Sequence, residues 1–466
     1  MEEDGKHSPD LVRDRSTAVC VVGAGPAGLA MARALRARGI DYDQFERNAD
    51  VGGLWDIDSV GSPMYEAAHF ISSRTLSGFE NFPMPDDYPD YPSHRQVLTY
   101  LRSFAAHYGL SDGIRFNVSV EKAEQGADGL WSVWLSDGTA AVYRAVIGCS
   151  GAQWYPNMPG APAGFSGEVL HSSAYRSSDI ATGKRVMVVG GGNSACDIAV
   201  DVSHTAETTI ISMRRGYWFI PKHLFGIPSD LFAENGPTLP KWLEQRLFGW
   251  VLQRLYGKPE KLGLQRPDHR LFETHPVLNS NLFHSLQHGD VVARPAIRSA
   301  EGTRVEFVDG RHDDVDMIIY ATGYKHRAPY VQSYLGSEQH PELYLTCFSR
   351  DYKNLFGVSF TESNTGAYLQ FDMSARMIAS YLEDQDRRPD RAREFEALIK
   401  KDHPDLSGGL HFDGSARHKG YVDGHTIIRY RQRLCARMGW PFKDAPTADA
   451  QRLTPIDAIG VSAIDE

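Results

Sequence analysis

The sequence predicts an α/β fold built from two strand–turn–helix units, the second inserted into the first, and three observations carry that prediction. The apolar run Val19-Cys20-Val21-Val22 leads directly into Gly23-Ala24-Gly25-Pro26-Ala27-Gly28. The pattern returns as Arg185-Val186-Met187-Val188-Val189 followed by Gly190-Gly191-Gly192-Asn193-Ser194-Ala195. Each unit then closes on an apolar strand that ends in a small pair, Ser150-Gly151 in the first and Thr322-Gly323 in the second. An apolar run short enough for a buried parallel strand, then Gly-x-Gly-x-x-Gly, then a helical stretch, makes a Rossmann-like dinucleotide-binding unit.

In the first unit, Gly23 permits the turn, Gly25 leaves no side chain between backbone and a pyrophosphate, and Gly28 lets the helix Leu29 to Arg38 pack on the strand. The free N–H groups of that helix then face phosphate. The second strand, Asp41 to Glu46, ends in an acid roughly 20 residues beyond the turn, where a ribose hydroxyl needs an acceptor. Gly52-Gly53-Leu54-Trp55 is a second glycine-bearing turn, able to approach the same ligand or to serve only as a loop anchored by Trp55. Proline and aromatic residues between Met64 and Pro92 argue for an irregular segment. Ser93 caps a predicted helix from Gln96 to Tyr108. Strands over Ile114–Val120, Leu130–Ser136 and Ala141–Ile147 read as an antiparallel hairpin returning to the main sheet.

In the second unit, the strand Thr208 to Met213 ends not in an acid but in Arg214-Arg215, which suits the 2′-phosphate of NADP(H). The stretch from Trp218 to Arg270 exceeds what a nucleotide unit requires. Within it Leu243, Leu247, Val251 and Leu255 step by one helical turn each, which reads first as core packing, with a channel wall or a membrane-surface face as alternatives. The resulting boundaries are a mobile tail over 1–16, a first unit over 17–152, the inserted unit over 153–325 with a helical insertion at about 219–270, and a return to the first unit over 326–466.

The totals bound the function. At 466 residues two or more domains are expected. A formal charge of −10 with no basic block argues against nucleic acid. Five scattered cysteines, Cys20, Cys149, Cys196, Cys347 and Cys435, have neither zinc-ligand nor redox-pair spacing, which predicts a reducing compartment and no metal. A polar N-terminus and no bilayer-length apolar run predict a cytoplasmic protein without membrane contact. The reading leaves a homodimer open.

The segment Phe165-Ser166-Gly167-Glu168-Val169-Leu170-His171-Ser172-Ser173-Ala174-Tyr175 resembles the identifying motif of the flavin-containing monooxygenases, Phe-x-Gly-x-x-x-His-x-x-x-Tyr/Phe. The flavin turn, Glu46, Gly52 to Trp55, the second turn and Tyr320 to Tyr324 are similar to that family in the same order, so the resemblance runs from about Val19 to about Ser380. It implies FAD in the first unit and NADPH in the inserted unit. It further implies hydride transfer to the flavin, reaction with O2 to a C4a-hydroperoxide, and delivery of one oxygen atom to an amine or sulfide, or to a ketone. The related motif of type I Baeyer–Villiger enzymes ends in Trp, and Tyr175 speaks against that branch.

The residues expected to hold the cofactors are Gly23, Ala24, Gly25, Pro26, Ala27, Gly28, Glu46, Gly53, Leu54, Trp55, Ser72, Val120, Gly190, Gly192, Asn193, Ser194, Ala195, Asp197, Arg214, Arg215, Thr322 and Gly323. Ser72, His171 and Ile71 are the candidates for the reaction itself. Ile71 stands where many family members carry an Asn whose amide can donate to the peroxide, so Ser72, a backbone N–H or bound NADP⁺ supplies that bond, or the oxygen intermediate is held less well. His171 orients the linker, contacts the cofactors, or serves as a hinge bonded to backbone. The partners are a small-molecule substrate and O2. The rivals are an uncoupled NADPH oxidase, a disulfide reductase, which would need a cysteine pair, and a redox sensor that binds both nucleotides without turnover.

Overall fold

The computed structural model describes residues 12–234, 240–336, 341–414 and 418–443. The chain opens with β1 (Val12–Val22), α1 (Pro26–Ala37), β2 (Tyr42–Phe45), α2 (His94–His107), β3 (Ile114–Arg115), β4 (Val120–Gln125), β5 (Trp131–Leu135) and β6 (Ala140–Gly148). The apolar half of β1 is fully buried from Ala18 to Val21, and it pairs in parallel with β2 and β6.

The polar half of β1 departs from expectation. Val12 to Arg15 pair with Ala140 to Tyr143, so the mobile tail expected over 1–16 is corrected from Val12 onward. Ion pairs from Arg15 to Asp41 at 2.9 Å and to Asp43 at 2.8 Å hold this charged stretch where apolar burial does not. The rest of that tail lies outside the described residues. The single strand expected over Ile114–Val120 is divided, β3 lying beside β2 and β4 beside β5. Asn117 sits between them at φ 59°, a left-handed conformation that ends the first pairing.

After β6 the chain builds a second sheet from β7 (Glu168–His171), β8 (Arg185–Val189), β9 (Thr208–Ser212), β10 (Val292–Arg294) and β11 (Met317–Tyr320), with α3 (Asn193–Val202) following β8. Its order is β10-β9-β8-β11-β7, every pairing parallel. Between β9 and β10 lie α4 (Ser229–Glu234) and α5 (Lys241–Tyr256). The chain then rejoins the first sheet through β12 (Leu343–Tyr344), β13 (Phe348–Ser349) and β14 (Leu355–Gly357), the last pairing with β6. The described part of the chain closes with α6 (Ala367–Arg387), α7 (Pro389–Lys401) and α8 (Gly424–Met438).

A buried ionic group ties the first unit together. Arg33 on α1 reaches Asp372 on α6 at 2.6 Å and the Glu80 carbonyl at 2.9 Å, while Arg376 pairs with the Glu80 carboxylate. The proline-rich segment, irregular apart from one short helical turn over Arg74–Ser77, is thus fixed between two helices. On α5 the expected core stripe is corrected: Leu247 and Leu255 are 46% and 55% exposed. The side that turns inward instead presents Lys241, Glu244, Phe248 and Leu252 to the central cleft.

Candidate active site

Both glycine turns open onto one cleft of about 1960 Å³, at the ends of β1 and β8 where an open parallel sheet binds ligands. Gly25 is the N-cap of α1 and Gly192 the N-cap of α3, and neither helix start has a side-chain cap, so both present bare N–H groups. The second glycine turn packs on the first: Gly52 N–H donates to the Ala24 carbonyl at 3.2 Å, and a methyl built on Gly53 would lie 3.0 Å from the Gly25 Cα. This cradle of bare backbone beside a helix N-terminus fits a pyrophosphate. Glu46 accepts from Ala24 N–H at 2.7 Å and Asn48 N–H at 2.9 Å, one bond per oxygen, which leaves lone pairs for ribose hydroxyls.

The two units repeat in atomic detail. Gly23 N–H donates to the Phe45 carbonyl at 2.8 Å and Gly190 N–H to the Ser212 carbonyl at 3.0 Å. A methyl on Gly23 would meet the Cys149 carbonyl at 2.7 Å, and one on Gly190 the Ala321 carbonyl at 2.4 Å. By this register the counterpart of Glu46 is Met213, which is buried and offers no acceptor to a 2′-hydroxyl. Arg214 and Arg215 follow, both lining the cleft. Asn193 accepts from Leu278 N–H at 2.8 Å, and Asp197 from Asn279 at 2.7 Å and Tyr65 at 3.3 Å. Burial pushes the Asp197 carboxyl above its usual range.

Most expected cofactor residues line the cleft, but Ala24, Gly28 and Ala195 do not, nor does the reaction candidate His171. Ala24 is buried with its N–H committed to Glu46. Gly28 and Ala195 are packing positions, a methyl on Gly28 falling 2.0 Å from the Gly23 carbonyl. Of the roles open to His171, its ring shows bonding to backbone: Nδ1 accepts from Ser173 N–H at 3.1 Å, which leaves Nε2–H to donate to the Gly323 carbonyl at 3.1 Å. Burial holds its pKa below the ordinary value, in keeping with a neutral ring.

The rest of the motif is structural in the same way. Gly167 passes so near the Asp316 carbonyl that a methyl would meet it at 2.5 Å, and the buried Tyr175 donates its hydroxyl to Asp201. The next residue, Arg176, donates to the Ser62 carbonyl at 2.8 Å and the Met64 carbonyl at 3.0 Å, fastening the linker to the first unit.

Ile71 lines the cleft and is 37% exposed. The Ser72 hydroxyl is bonded to Ser77 Oγ at 2.7 Å. Asp230 on α4 accepts from Ser73 N–H at 2.6 Å, so the inserted unit fixes the backbone beside Ile71. The far wall brings Glu234 of α4 to His425 of α8 at 3.3 Å, and Lys241 of α5 between Glu244 at 3.1 Å and Asp423 at 3.8 Å. Glu234 raises the His425 pKa above its usual value. Asp230, Glu234 and His425 escaped the sequence reading because each is an isolated polar residue whose partner is far along the chain.

The model of the flavin-binding monooxygenase-like family matches residues 16–393. Flavin-containing monooxygenase 5 of Oryctolagus cuniculus is 32% identical over 336 residues, 67% of this chain and 63% of that protein, so the match spans less than two thirds of its length. Flavin-containing monooxygenase 3 of Macaca mulatta is 30% identical over 447 residues, 90% of this chain and 82% of that protein. The open crystal structure of cyclohexanone monooxygenase shares the fold at a TM-score of 0.65 and 16% identity, covering 91% of this chain and 98% of that one. With two glycine turns facing one cleft and a family match over most of its length, the chain belongs to the flavin-binding monooxygenase-like family, whose members depend on FAD and NADPH.

Proposed function

We propose that this protein is an FAD- and NADPH-dependent monooxygenase that places one oxygen atom of O2 on a soft nitrogen or sulfur of a small substrate. The observation that carries the proposal is the opening of two uncapped helix N-termini, at Gly25 and Gly192, onto the same cleft. When bound, FAD supplies the redox and oxygen chemistry and NADPH the hydride. The protein's part is holding, aligning and excluding water. The α1 terminus and Glu46 hold the flavin nucleotide, and the α3 terminus with Arg214 holds the second nucleotide. Phe248, Leu252, Tyr368 and Phe371 supply apolar wall.

A thiol relay finds no support, since burial raises the pKa of every one of the cysteines and all are unpaired. Those unpaired thiols also favour a reducing, cytoplasmic setting. No helix among the described residues is long and apolar enough to cross a membrane. Tyr175 in place of the Trp of the type I ketone-oxidising motif favours nitrogen or sulfur over ketone oxidation.

Ile71 favours a second reading, an NADPH oxidase that releases peroxide. Purified protein should be yellow, bleach with NADPH, and convert a tertiary amine or thioether to its oxide in step with NADPH loss. Peroxide formed in step with NADPH whatever substrate is offered would establish the second reading, and a colourless protein that takes up neither nucleotide would end both.

A further inference from the structure

Arg214 and Arg215 are neighbours in sequence that the fold uses differently. Arg214 is exposed at the cleft. Arg215 turns over the Tyr217 ring at 5.5 Å and forms an ion pair with Asp413, the two side chains being 30% and 14% exposed. Asp413 belongs to the strap between α7 and α8, which is fastened to the inserted unit nearby. Its own N–H donates to the Glu273 carbonyl at 2.9 Å, and His275 meets His418 and Tyr421 of the strap, each at 2.9 Å.

A guanidinium already engaged by a largely buried carboxylate has less of its donor fork to offer a phosphate. Met213, the counterpart of Glu46, adds nothing to either nucleotide.

We propose that Asp413 sets how tightly this site holds a 2′-phosphorylated nucleotide: it keeps Arg215 for the strap, so that Arg214 alone reads the phosphate. The inference rests on the NADPH reading of the inserted unit. Asp413 is then a specificity-determining residue supplied from the first unit, well outside the nucleotide fold it tunes.

Calorimetric titration of the FAD-loaded full chain with 2′,5′-ADP, and with 5′-ADP as the ligand lacking the 2′-phosphate, tests this. Asp413→Asn is expected to bind 2′,5′-ADP about fivefold tighter, the effect of one additional charge-assisted hydrogen bond from the released Arg215, with 5′-ADP unchanged. Arg214→Ala should lose about tenfold on 2′,5′-ADP alone, while Arg215→Ala should change it by less than about twofold. Adding Arg215→Ala to Asp413→Asn should abolish the improvement, and Asp413→Glu should behave as the native protein. Asp413→Ser supplies the same comparison if the Asn variant loses its flavin.

Equal shifts for both ligands in the Asp413 variants would mean that the strap acts by packing, and would overturn the proposal. So would unchanged 2′,5′-ADP affinity, or a loss in Arg215→Ala as large as in Arg214→Ala. Native protein that binds 2′,5′-ADP no better than 5′-ADP would instead show that the NADPH reading itself is wrong.

Discussion

Gly25 and Gly53 meet backbone to backbone, and a methyl group on Gly25 would lie 3.4 Å from the Gly53 Cα. That is an ordinary contact, so Gly25→Ala should leave the melting temperature nearly unchanged while removing flavin absorbance, because the ligand needs bare backbone there. Gly23 is the contrasting case, at φ 107° with a methyl 2.7 Å from the Cys149 carbonyl. Gly23→Ala should cost about 3 kcal/mol in urea unfolding, from strain and overlap together. Retained flavin in Gly25→Ala would count against the first site.

Arg214→Ala should raise KM for NADPH by about tenfold or more and leave KM for NADH nearly unchanged, since only the phosphate loses a partner. Steady-state kinetics with both donors checks this. Equal effects on the two would remove the phosphate contact from the account.

Ile71 places an apolar side chain at the cleft beside a backbone that Asp230 fixes through Ser73. Ile71→Asn adds an amide donor without disturbing that anchor, and should lower the peroxide released per NADPH by about threefold, the effect of one added hydrogen bond. Peroxide assayed alongside NADPH loss reads it. An unchanged ratio would mean that another group already donates there.

The pairing of His425 with Glu234 predicts a direction with pH. Glu234 raises the folded pKa above the ordinary value of 6.5. The pair's stabilisation is therefore complete below 6.5, where folded and unfolded imidazole are both protonated, and is lost as pH rises through the raised folded value. The stability difference between the native protein and Glu234→Gln, from denaturant unfolding across about pH 5 to 9, should shrink with rising pH. In the variant the His425 titration followed by NMR should move back down. A constant difference would dissociate the pair from stability.

The glycine turns and Glu46 were legible because the strand, the turn, the helix and the acid follow one another within a few tens of residues, although the backbone that Gly23 and Gly190 approach, at Cys149 and Ala321, comes from far along the chain. The repeat was legible too, down to the strand ends at Ser150 and Thr322. The inward side of α5 was not: the spacing of Leu243, Leu247, Val251 and Leu255 defines a stripe, but only tertiary packing decides that Phe248 and Leu252 face inward. For His171 a hinge bonded to backbone was among the roles the sequence left open, but which backbone it meets was not legible, since its ring lies beside the Gly323 carbonyl only once β7 and β11 pair. Arg215 reads in the sequence as a phosphate ligand equal to Arg214, because Asp413 stands far along the chain, in a strap with no local signal. Asn117, by contrast, is a residue type known to tolerate the left-handed region, and it was a readable sign that β3 and β4 would part.

The inserted unit is fastened along both margins of the cleft: Arg176 and Asp197 to Ser62, Met64 and Tyr65 on one side, Arg215 and His275 to Asp413, His418 and Tyr421 on the other. A jaw pinned at both corners gapes only when both pins lift in the same instant. Weakening either corner alone should therefore quicken nucleotide exchange, read as the release rate of bound 2′,5′-ADP.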